Sequence, residues 1–82
     1  MRTIKVYPNR STPLAERIGR AIEHYLVHNP GKLPALAIVN AQDEQKAIQA
    51  VKVLDLDLSV IVEVGPLPGE VWLVVPNDTS ET

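Results

Sequence analysis

"LSVIVEVGPLPGEVWLVV", residues 58–75, decides how this chain folds. Its ends, 58–64 and 70–75, are dense in β-branched residues and read as two strands, both apolar on two sides. The turn between them, Gly65-Pro66-Leu67-Pro68-Gly69, is too short for a crossover to a parallel neighbour. The pattern therefore predicts an antiparallel hairpin. Two prolines and two glycines stiffen its tip and leave Leu67 with little to pack on.

Upstream of this segment the periodicity alternates between helix and strand. Asn40 and Asp43 form a capping pattern opening a helix over about 41–54, with Ala47, Ile48, Val51 and Leu54 inward. Asp55 and Asp57 follow on a solvated connection at the amino end of the sheet. Residues 33–39, LPALAIV, are apolar on both sides, as in a buried parallel strand with Pro34 at its start. A helix over about 13–28 carries Leu14, Ile18, Ala21, Ile22, Tyr25 and Leu26 at 3.6-residue spacing. Thr12 suits its N-cap, Pro13 its first position, and Asn29-Pro30-Gly31 its stop. Gly19 inside it costs about 1 kcal/mol relative to alanine unless close packing requires it. Residues 3–7 alternate as a half-exposed strand with Ile4 and Val6 on one side.

The order is β-α-β-α-β-β, a single α/β domain over residues 1–76 with a disordered polar tail at 77–82. Strands 1–3 are expected to run parallel and strand 4 antiparallel beside strand 3 or nearby, in a mixed four-stranded sheet. If strand 1 is an edge, as Thr3 and Lys5 suggest, both helices cover one face and the other is bare. A second copy of the chain is then its simplest cover, a homodimer contact drawing on Val60, Val62, Leu67, Trp72 and Val74.

Composition narrows the function classes. With 82 residues the core is thin, and with aromatics at 4% and no Phe it must be built from Val, Leu, Ile and Ala. The absence of Cys removes disulfides, thiolate nucleophiles and cysteine metal sites. No stretch has the length of a membrane span or the shape of a signal peptide, so a cytoplasmic, membrane-free protein is expected. Charge is divided along the chain. Residues 1–32 carry six Lys/Arg against two Glu, whereas residues 33–82 carry two Lys against eight acids. Such a dipolar chain suits an anion or a second copy of itself.

Two basic features follow from that division. Arg10, Ser11 and Thr12 precede a helix start, where free N–H groups favour an anion, although capping alone accounts for the hydroxyls. Arg17, Arg20 and His24, with His28, form a stripe along the first helix that suits phosphate tracking, or a solvated flank with Glu16 pairing to Arg20. His24 and His28 alone are too few ligands for zinc, so no metal is expected. No Ser has an evident His partner, and no cofactor motif is present. The expectation is a small non-catalytic interaction module that self-associates, with a protein partner as a further possibility. The alternatives are a nucleic-acid or anion-binding regulator on the basic flank, and a metabolite binder or enzyme at the carboxyl end of the parallel strands.

Overall fold

The computed structural model describes residues 2–9 and 11–75. The expected polar tail, 77–82, lies outside the described residues. Four strands and two helices follow the anticipated order: β1 Arg2–Val6, α1 Leu14–His28, β2 Leu36–Val39, a 3₁₀ turn Ala41–Asp43 leading into α2 Glu44–Val53, β3 Ser59–Val62 and β4 Val71–Val75. Among the described residues, no helix is long and apolar enough to cross a membrane.

The strand order is β1-β4-β2-β3, and it corrects the hairpin. β4 does not pair with β3. It lies between β1 and β2, antiparallel to both, while β2 and β3 pair in parallel. β1 and β2 therefore point the same way as expected but are not neighbours. Burial supplies the reason. β4, VWLVV, has four of its five residues buried, so a place at the sheet edge would expose the most apolar strand of the chain. The eight residues 63–70 give enough chain to pass across β2, at roughly 3.3 Å of reach per residue against strand spacings of about 4.8 Å.

One face of the sheet carries the core. Val6, Ala37, Val39, Val71 and Leu73 meet Leu14, Ile18 and Ile22 of α1 and Ala47 and Ala50 of α2, so both helices lie on that face. The i, i+4, i+8 spacing of the α1 residues makes the buried stripe. Gly19 faces α2, where an added Cβ would sit 3.5 Å from Leu54 Cδ2, an ordinary contact. α1 closes with Asn29, whose backbone N–H donates to Tyr25 O at 2.9 Å.

The opposite face follows from the register. Thr3 and Lys5 of β1, Val74 and Trp72 of β4, Leu36 and Ile38 of β2, and Ser59 and Ile61 of β3 are mutually opposed and project away from the helices. Lys5 Nζ lies 5.1 Å from the Trp72 ring centroid. The 63–70 connection leans on the same indole, since a Cβ on Gly65 would come within 2.7 Å of Trp72 Cη2. Trp72 Nε1 is buried there with no hydrogen-bond partner among the described residues.

Candidate functional site

Three connections converge at the carboxyl end of β1, β2 and β3, and a small polar network ties them together. Arg17 is its hub. Its Nε donates to Thr12 O at 3.1 Å, and its Nη1 donates to Tyr7 O at 3.0 Å and to Gly69 O at 2.8 Å. One guanidinium thus holds the exit of β1, the start of its own helix and the approach to β4. Asp43, 8% exposed, accepts from Gly69 N at 2.6 Å, and Asn40 Nδ2 donates to Pro66 O at 3.1 Å. Glu70 Oε1 accepts from Leu67 N, closing the turn on itself. Gly69 has φ +85°, and a Cβ there would stand 3.0 Å from Pro8 Cβ, so only glycine fits comfortably.

The expected caps are partly realised. Asn40 Oδ1 accepts from Gln42 N, as a cap should, but Asp43 is drawn to Gly69 instead of reaching back. Thr12 does not cap α1. Pro13 occupies the N-cap position with extended backbone, and among the described residues no side chain caps the helix. The cause is local: Asn9 Oδ1 takes the Ser11 N–H, and Arg17 takes the Thr12 carbonyl, which fixes the segment as an Asx turn.

Beside this network an open cleft of about 870 Å³ runs between the start of α1 and the outer side of α2. Ser11 and Thr12 line it with Lys46 and Gln49, while Arg17 and Asp43 stand in its wall with their polar atoms turned to the network. Lys46 and Gln49 escape a reading of sequence because a solvent-side lysine and glutamine on a helix carry no signal until the facing helix is in place. Arg10 lies outside the described residues.

The basic stripe resolves into separate engagements. Arg17 serves backbone carbonyls, and Arg20 pairs with Glu16 one turn before it. His24 meets His28 edge to face, with ring centroids 5.1 Å apart. Among the described residues no three His, Cys, Asp or Glu side chains gather as metal ligands. Asp55, at φ +55°, and Asp57 are exposed at the amino end of the sheet.

The residues expected at an oligomer contact divide between surfaces. Trp72 and Val74 share the helix-free face, but Val60 and Val62 oppose Ala37 and Val39 and so project to the helix side. Val60 packs against the core, and Leu67 is 63% exposed on the connection. Exposure rises toward β3. Leu36, Ile38 and Trp72 are half-buried and Val74 is buried, whereas Ile61 is 37%, Val62 38% and Val64 96% exposed. The chain matches no family model, no curated protein and no solved structure.

Proposed function

We propose that this chain is a non-catalytic module that works by self-association, with the helix-free sheet face and its β3 border as the contact. The observation that carries the reading is the apolar row Leu36, Ile38, Ile61 and Trp72 on that face, together with the exposed Val62 and Val64 along the β3 border, Val62 projecting to the helix side. A contiguous apolar surface on so small a domain is a standing drive to association, worth about 25 cal/mol per Å² removed from water. The division of charge along the chain favours a like partner as well. Sedimentation across the micromolar range tests this: a concentration-dependent mass above 9.0 kDa is expected, and a 9.0 kDa species throughout overturns it.

A second reading has its own support. The uncapped start of α1 opens on a cleft that also holds the Ser11 and Thr12 hydroxyls and Lys46, which suits a small anionic metabolite. Ligand at a hundred times its dissociation constant raises stability by about 2.7 kcal/mol. A thermal midpoint unmoved by millimolar phosphate and nucleotides removes this reading.

A further inference from the structure

The two edges of the sheet are not alike. β1 carries the exposed Lys5 and is followed two residues later by Pro8, so charge and proline guard it against a further strand. β3, Ser-Val-Ile-Val, has neither charge nor proline. Its backbone donors also divide cleanly. Ser59 N–H donates to Ala35 O and Glu63 N–H to Val39 O, both at 3.1 Å. In a parallel ladder alternate residues bond to the same neighbour, so Val60 and Val62 direct their N–H and C=O groups outward, away from β2. Among the described residues, an edge with no neighbouring strand and exposed apolar side chains coincide on this one strand, whose nearest charges, Asp57 and Glu63, flank it and do not interrupt it.

We propose that two copies join antiparallel through β3, about a two-fold axis at Ile61, into one continuous eight-stranded sheet. The proposal rests on the self-association reading and specifies its geometry. In this register Val60 faces Val62 of the second copy, and the two exchange both backbone bonds, four across the dimer. Ile61 meets its own counterpart on the helix-free face. Ser59 stands opposite the second copy's Glu63, so hydroxyl meets carboxylate and no two acids are paired. Shifting the axis to Val60 places Asp57 against Glu63, two like charges directly opposed, which disfavours that register. β1, guarded by Lys5 and Pro8, accepts no further strand, and growth stops at two along the sheet.

Substitutions read the register by sedimentation. Ser59 is exposed, so lysine or glutamate there leaves the fold in place. Because the Ser59 to Glu63 contact occurs twice in the dimer, Ser59→Lys is expected to tighten dimerisation, and Ser59→Glu to weaken it, each on the order of tenfold. Equal shifts in both variants, or none, overturn the register. Val62→Pro removes an outward donor and spares the ladder to β2, so a folded monomer by circular dichroism is expected. Ile38→Lys, on the face but away from the edge, is expected to remain dimeric. If Val62→Pro stays dimeric while Ile38→Lys dissociates, edge pairing fails and contact through the face stands. If the wild-type chain is a monomer, both fail.

Discussion

Replacing Arg17 by alanine tests whether the carboxyl end of the sheet is held by one side chain. The guanidinium makes three bonds to backbone carbonyls, of which those to Gly69 and Thr12 are partly buried and that to Tyr7 is exposed. A hydrogen bond from a charged donor contributes about 1.5–3 kcal/mol when shielded, and little where water replaces it. Discounting the exposed bond entirely and the Thr12 bond by half gives a loss of about 2–4 kcal/mol. Against a total stability of about 4–12 kcal/mol for a chain this size, that is a large share. In urea, with a slope of about 1 kcal/mol per molar, the midpoint should fall by roughly 2 M or more. Because the acceptors are carbonyls and not carboxylates, the deficit should persist in high salt, where the contribution of a surface ion pair would be screened. Arg17→Lys should recover only part of it, since an ammonium cannot present the same fork. A midpoint within the error of wild type for Arg17→Ala, or full recovery in Arg17→Lys, refutes the tether.

Three glycine and acid positions give further outcomes, each read from denaturation midpoints. Gly19→Ala should stabilise the protein by about 0.5–1 kcal/mol, since the new Cβ meets Leu54 at ordinary contact and the helix gains propensity. Gly65→Ala should cost about 1–3 kcal/mol and shift the emission of Trp72, whose ring the Cβ would overlap. Asp43→Ala should cost about 1–3 kcal/mol by leaving the Gly69 N–H unsatisfied, and Asp43→Asn, which keeps an acceptor, should cost less.

Both helices and all four strands are legible in the sequence to within a few residues at their ends, because burial on one face leaves a period that short windows detect. Leu14, Ile18 and Ile22 fall where the 3.6-residue spacing puts them. The strand order is not legible in that way. Whether β4 pairs with β3 or inserts beside β2 depends on which arrangement buries VWLVV, and that competition is decided between segments far apart in the chain. The face of each strand was hidden for the same cause: within β3 the inward residues are even-numbered, within β4 odd-numbered, and only the register relates the two. Val60 and Val62 therefore could not be separated from Trp72 and Val74 by alternation alone. Arg17 is marked in the sequence as part of a basic stripe, but its role as a tether is not legible there, for another reason. Its acceptors are backbone carbonyls, which every residue possesses, so no residue type marks them in advance. A basic flank on a helix invites an anion, and here one of its members is spent on the chain itself.

The central place of β4 also bears on the order in which the protein forms. β1 has β4 as its sole neighbour among the described residues, with about seventy residues of sequence between paired positions such as Ile4 and Leu73. Closing so long a loop precedes any reward from the contact, which raises the folding barrier and delays it. During synthesis β1 waits for its partner until β4 is available. The β2-α2-β3 unit, with α1 packed beside α2, can assemble before then. The same insertion that hides the most apolar strand makes the sheet's completion a single late event, in which β1 and β4 are captured together.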